Sequence, residues 1–350
     1  MDLIEIKGKV YTAICYAKVV EDEAIEQVRR MCNYIMTEGT KIRIMPDVHA
    51  GKGCTIGTTM TIADKVVPNV VGVDIGCGMY TVNLGKIDID FEKVDEAADG
   101  TKYLIIHSGS RNLGKQVAEL YQKLAINLNR GYGDYLEKRD EIIKTYKEQG
   151  RKNEIEEALK QLHWQVYESP TSVPEDLCYL EGKYLADYLH DVEICQSFAR
   201  RSREKMAEII FERTGLDGNE AFHTIHNYID TEEMILRKGA IAAHSGEKVL
   251  IPINMRDGSV LAIGKGNSEW NYSAPHGAGR IMSRSKAFRE LTMEEYKKTM
   301  EGVYTTSVNE HTLDEAPMAY KSLEDIIDVI KESVDVIDVM KPIYNFKVSD

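Results

Sequence analysis

Seven glycines fall within residues 41–85, set among short apolar runs at Lys41–Met45, Thr58–Ile62, Val66–Val73 and Met79–Leu84. Runs this short do not build long helices, and glycine lets the backbone turn sharply or approach a neighbouring segment closely. The stretch predicts closely connected strands, and the rest of the chain must be arranged around them. Strand formers recur at Val10–Cys15 and Tyr103–His107, and residues 221–285 return to short strands and glycine loops.

Helical spacing appears elsewhere. Over Glu21–Thr37 the residues Ala24, Ile25, Val28, Met31, Cys32 and Ile35 share one side, with Gly39 as a stop. From Leu113 to Trp164 the pattern is helical and increasingly charged, and Lys138–Glu157 is polar enough to predict an exposed helical hairpin. A loop at Ser169–Pro174, a helix at Asp191–Thr214, and an amphipathic helix with a short extended tail at Leu323–Val339 complete the reading. No internal repeat or low-complexity linker divides the chain. The expectation is a single α+β domain over residues 1–350, with mixed sheets and a helical insertion at about 113–214.

The charge balance is 44 Lys and Arg against 57 Asp and Glu, a net −13, which argues against non-specific coating of nucleic acid but not against a local basic site. Ten of the acids lie in residues 301–338, where Lys321 and Lys331 are the only bases. Basic residues gather at Arg200, Arg201, Arg203 and Lys205, and again at Arg280, Arg284, Lys286 and Arg289; by themselves they read as solvated helix faces. No uncharged run exceeds 11 residues, against the roughly 20 apolar residues of a membrane-spanning helix. The first residues lack a basic and apolar leader, so the expectation is a soluble, cytoplasmic protein, free of membranes, with its six cysteines reduced.

Two islands could carry chemistry. In Asp74-Ile75-Gly76-Cys77-Gly78 a carboxylate and a thiol sit three residues apart in a glycine-bounded turn. Joined by His107 and His226, each in a strand-and-loop stretch, they form a transition-metal donor set, for which thiolate softness favours zinc or iron over manganese. The alternative is a capped turn with a buried cysteine. In Pro275-His276-Gly277-Ala278-Gly279-Arg280 small residues admit a ligand to the backbone, and Arg280 could pair with phosphate. His276 there could act as acid, base, ligand or nucleophile, or be incidental to a tight turn. Residue chemistry alone reaches a metal-assisted phosphoryl- or nucleotidyl-transfer protein.

Taken in order, the islands resemble the RtcB family of RNA-splicing ligases. The matching segments are Met45–Gly51, Val73–Met79, His107–Arg111, Asp176–Gly182, His226–Tyr228, Arg237–Ala240, His276–Arg284 and Asp314–Lys321, and the likeness covers about residues 40–347. The resemblance implies a distinctive α+β fold and a ligase needing GTP and divalent manganese. Such an enzyme joins RNA 2′,3′-cyclic-phosphate or 3′-phosphate ends to 5′-hydroxyl ends. It implies that His276 is the guanylylated residue and that Asp74, Cys77, His107 and His226 bind metal. Lys347 and the loop at Asn254 and Met255, with Gly277, Ala278, Gly279 and Arg280, would contact the nucleotide. Arg200, Arg201, Arg280 and Arg284 are candidates for RNA phosphates.

This chain also departs from the family. Members usually carry Gly-Asn-His-Phe and a glutamate between the cysteine loop and the His107 strand, whereas Met79–Ile106 holds no histidine. The family's Gly-Ser-Met loop reads Ile253-Asn254-Met255. The expectation is one well-held metal per chain rather than two, with His49 or His244 as possible substitute ligands. An RNA-end phosphoesterase and a non-ligating RNA-end-binding homologue stand as rival functions.

Overall fold

The computed structural model describes residues 3–51, 53–86, 94–96, 99–167 and 170–345. Its framework is a twelve-stranded sheet. In chain order its strands are β1 (Ile4–Lys7), β2 (Thr12–Cys15), β3 (Ile42–His49), β4 (Ile56–Thr61), β5 (Cys77–Gly85), β6 (Val94–Glu96) and β7 (Lys102–Ser108). There follow β8 (Glu220–Asp230), β9 (Ile235–Lys238), β10 (Lys248–Asn254), β11 (Gly258–Gly264) and β12 (Val334–Pro342). Their spatial order is β1-β2-β3-β4-β9-β8-β5-β7-β6-β12-β11-β10. The β2–β3 pair is parallel and the other pairs of this sheet are antiparallel. With the helices below, this is the expected α+β class.

Helix α1 (Asp22–Met31) buries Ala24, Val28 and Met31 on one stripe, with Asp22 and Glu23 in its first turn and Arg29 and Arg30 in its last, both favourable to the helix dipole. It ends before the predicted Thr37. The carbonyl of Cys32 accepts the N–H groups of Val10 and Tyr11, and Asn33 Oδ1 accepts that of Lys9, so the β1–β2 turn ties off the helix. Residues Ile35–Thr37 form a separate 3₁₀ turn. The apolar run Val66–Val73 is also not a continuous strand, because Pro68–Val71 makes one helical turn with proline at its start.

The predicted helical region resolves into α2 (Arg111–Asn129), α3 (Tyr132–Glu148), α4 (Ile155–Tyr167) and α5 (Gly182–Thr214). Helices α3 and α4 make the exposed hairpin. Helices α2 and α5 instead press Ala118, Tyr121, Ala125, Leu185, Tyr188, Val192 and Cys195 into the core that holds β1–β4. A second core lies between β10, β11 and β12 and helix α6 (Leu323–Ile330). Helix α6 stops at Ile330, and Val334–Pro342 is the strand β12. Its alternating Val-Asp-Val start pairs with β11, so the extended tail read from the sequence is a nine-residue strand of the main sheet.

In the middle of the sheet, Leu236 on β9 is fully buried between Ile229 of β8 and Met60 of β4. Leu236→Ala should cost about 2–5 kcal/mol in urea-induced unfolding, the range for a large-to-small change in a packed core. Leu120→Ala, on an exposed face of α2 (62% exposed), should stay within about 0.5 kcal/mol.

Candidate active site

Three strand ends converge on one point. Cys77 opens β5, His107 stands next to last on β7, and His226 lies within β8, with β5 the middle strand of the three. The pairing of β8 with β5 shifts here: Ile225 faces Gly78 and Asn227 faces Cys77, so His226 is the extra residue of a β-bulge. A bulge re-aims the side chain it carries. Gly78 permits the approach, since a Cβ there would lie 2.7 Å from Ile225 Cα. The bulge is fixed by Gly239 N–H, which donates to His226 O at 2.7 Å and to Asn227 Oδ1 at 2.9 Å.

The result is a compact donor group. His107 Nε2 lies 3.4 Å from Cys77 Sγ and 3.3 Å from His226 Nε2, and the three donor atoms all fall within 4.8 Å of one another. His226 is buried and its Nδ1 has no hydrogen-bond partner, whereas His107 is exposed. Burial, followed by the charges of His107 and His276, holds His226 well below the usual histidine range, so its imidazole is neutral at pH 7. Burial, and then the carboxylate of Asp74, push the Cys77 thiol up. A cysteine that becomes a soft thiolate on coordination, with two imidazoles, fits a transition metal, and the exposed His107 side leaves room for a further ligand.

Asp74 lies beside Cys77, but its Oδ1 accepts the N–H of Arg111 at 3.2 Å, at the start of α2. Gly109 makes room for that carboxylate, as a Cβ there would meet it at 2.2 Å. Neither expected substitute joins the cluster. His244 Nε2 pairs with Glu233 at 3.4 Å, and His49 Nδ1 donates to the carbonyl of Asp47 at 3.0 Å.

His276 adjoins the cluster, its ring centroid 5.0 Å from that of His226. It follows the strand Ser273–Pro275, which pairs with Ala240–Ala242. Asp47, fully buried on β3, accepts both the backbone N–H of His276 at 3.1 Å and its ring Nδ1–H at 2.7 Å through one oxygen, Oδ2. Because a carboxylate only accepts, Nδ1 carries a proton, and in the neutral ring the lone pair is then on Nε2. Gly279 has φ of 72° and sits so close to Asp47 that a Cβ would be 2.4 Å from its carbonyl oxygen, which makes glycine obligatory there. Asp47 is a candidate site residue that sequence reasoning left unassigned, although it stands inside the matched Met45–Gly51 segment.

The other candidates divide. Gly277 faces Pro252 O, and Ala278 is buried in the second core. Arg280 donates to the carbonyls of Met282 and Asp314 and to the Tyr320 hydroxyl, so it braces this loop. Asn254 closes the β10–β11 turn through Arg256 N–H, Asp257 N–H and the Asp257 carboxylate. Met255 is buried and accepts the Tyr296 hydroxyl. Arg200 and Arg201 pair with Glu204 on the outer side of α5, and Arg284 with Asp314 and Glu315. Lys347 lies outside the described residues. The solvated reading of the first basic cluster fails for Arg203, which is fully buried.

Comparison with known proteins bears on the family of the chain. A family model described as tRNA-splicing ligase RtcB matches residues 27–100 and 87–348. The RNA-splicing ligase RtcB of Escherichia coli (strain K12) is 28% identical over 362 residues, covering 86% of this chain and 88% of that protein. The tRNA-splicing ligase RtcB of Aeropyrum pernix is 28% identical over 247 residues, covering 66% of this chain and 48% of that protein. That of Thermococcus kodakarensis is 25% identical over 263 residues, covering 67% and 49%.

The donor group predicts one tightly held transition metal per chain in nucleotide-free protein, read by elemental analysis. Cys77→Ser should weaken metal binding by more than the roughly 10–100-fold typical of losing an outer partner. Stripping the metal with a chelator should lower the unfolding midpoint of the parent, since a ligand at 100 times its Kd adds about 2.7 kcal/mol. Two full equivalents of metal, or an unchanged midpoint, would contradict the assignment.

Proposed function

The chain belongs to the RtcB family of tRNA-splicing ligases and is an RNA ligase, and from that premise we propose that it guanylylates itself on His276 to join RNA ends. The ends in question are a 2′,3′-cyclic phosphate or 3′-phosphate on one strand and a 5′-hydroxyl on the other, with GTP as co-substrate. We place this activity in the cytoplasm; no described helix is long and apolar enough to cross a membrane. The observation that carries the reading is the Asp47–His276 pair beside the Cys77, His107 and His226 donors.

The geometry gives each residue a task. Asp47 fixes the His276 tautomer and ring orientation, so that Nε2 presents its lone pair. Attack by Nε2 on the α-phosphorus of GTP forms a nitrogen–phosphorus bond and breaks the bond to the β-phosphate oxygen, releasing pyrophosphate. The imidazole gains positive charge in that step, and the buried Asp47 carboxylate beside Nδ1 stabilises it. Cys77, His107 and His226 would hold a divalent ion, manganese by family or zinc by donor softness, with Asp74 alongside. That ion supplies Lewis-acid polarisation of phosphoryl oxygens.

A second reading, phosphoester hydrolysis without joining, would use the donor group and leave His276 unmodified. Incubation with labelled GTP and metal separates the two. Mass spectrometry should find a GMP adduct on the parent and none on His276→Ala. Asp47→Asn should form the adduct by about 10⁴-fold more slowly, as in other sites where an amide replaces the carboxylate that sets a catalytic tautomer. An unmodified parent under conditions that label a family member would overturn guanylylation.

A further inference from the structure

The face of α5 turned toward the sheet carries Gln196, Ala199 and Arg203, spaced by three and four residues so that they line one stripe. Gly76, with φ of 76°, packs against this stripe so closely that a Cβ would lie 2.9 Å from Gln196 Cα and 3.1 Å from Ala199 Cβ. Two polar side chains then reach across. Arg203 Nη1 donates to Gly76 O at 2.8 Å and to Ser108 O at 2.5 Å. Gln196 Oε1 accepts the N–H of Ile229 at 2.9 Å.

These contacts sit beside the three donors. Gly76 precedes Cys77, Ser108 follows His107, and Ile229 lies three residues beyond His226 on the same strand. Strands β5 and β8 are further joined at this level by Gly76 N–H to Asn227 O, at 2.7 Å. A single guanidinium nitrogen therefore fixes the backbone next to two donors, and a side chain two helical turns away on the same helix fixes the segment carrying the third. Arg203 is fully buried, and its Nε and Nη2 make no hydrogen bond. A buried charge with idle donors is an expensive way to fill space, which an apolar side chain would do better. Its value lies in where it ties the backbone.

We propose that Arg203, seconded by Gln196, is a positioning residue that sets the spacing of Cys77, His107 and His226 for a metal ion. The proposal rests on the metal site argued above. Helix α5 is then the template for that site, although it contributes no ligand to it.

Cobalt(II) alone is the probe, because its thiolate charge-transfer band reports Cys77 coordination and its d–d bands report geometry. Parent protein, Arg203→Met, Arg203→Lys and Gln196→Met would be titrated, with folding followed by circular dichroism. Arg203→Met should bind cobalt about 10–100-fold more weakly, the range for loss of an outer-shell support, with altered d–d bands. Arg203→Lys, with one donor group, should recover part of the affinity, and Gln196→Met should show a smaller loss than Arg203→Met. Parent-like affinity and spectrum in folded Arg203→Met would overturn the proposal. Should that variant not fold, parent-like affinity and spectrum in folded Gln196→Met would overturn it. A parent that shows no thiolate band at all would instead overturn the metal site itself, and the role of Arg203 with it.

Discussion

Three electron-rich atoms crowded within 4.8 Å repel one another unless a cation or shared protons lie among them. The His107 and His226 Nε2 atoms, 3.3 Å apart, cannot both present lone pairs at that distance without something to hold them. The surrounding backbone meets this constraint by leaving no slack. Glycines 76, 78 and 109 sit where any side chain would collide with α5, β8 or Asp74. The bulge at His226 and the long helix packed behind the sheet follow from the same need. Close packing converts a repulsive cluster into a preorganised one, so a cation entering it meets donors already in place.

Asp47 does a comparable job on the other side of His226. Its carboxylate takes two hydrogens from His276 while its carbonyl takes one from His49, so one residue of β3 orients two imidazoles. The same backbone segment is anchored by Lys321 Nζ on Pro46 O and by the close approach of Gly279. His276, just past the strand Ser273–Pro275, and the donor residues on β5, β7 and β8 are thus carried by separate elements that Asp47 and its neighbours hold together.

Much of this was legible in the sequence. The glycine-dense stretch does form closely connected strands, and the ligand candidates Cys77, His107 and His226 do meet, because strand ends and glycine turns leave a local mark in sequence. The errors have physical causes. Residues Leu323–Val339 hold both a helical stripe and a period of two, and only pairing with β11 decides where one yields to the other. The end of α1 depends on Val10 and Tyr11, about 20 residues earlier in the chain. Arg203 sits in a run of bases whose neighbours Arg200 and Arg201 are indeed exposed, and local sequence does not say which of the three turns inward. Asp47 was unassigned because its partner lies 229 residues away.

The arginines near the site bear on how an acidic chain handles a polyanion. Arg280 spends donors on Met282, Asp314 and Tyr320, and Arg284 faces Asp314 and Glu315, so both hold the acidic segment Asp314–Glu315 against the loop of His276. Arg200 and Arg201 are likewise matched by Glu204 and Glu208. A phosphate that binds through Arg200, Arg201 or Arg284 must displace a carboxylate or share the guanidinium with it, and one at Arg280 must compete with two backbone carbonyls and the Tyr320 hydroxyl. Such an exchange yields less affinity than an unopposed base would, and more discrimination, because only a phosphate correctly placed at the site recovers what the broken ion pair gave up. With a net charge of −13, general attraction for RNA is weak from the start. Such a charge balance leaves contacts with RNA to short-range interactions rather than to long-range steering.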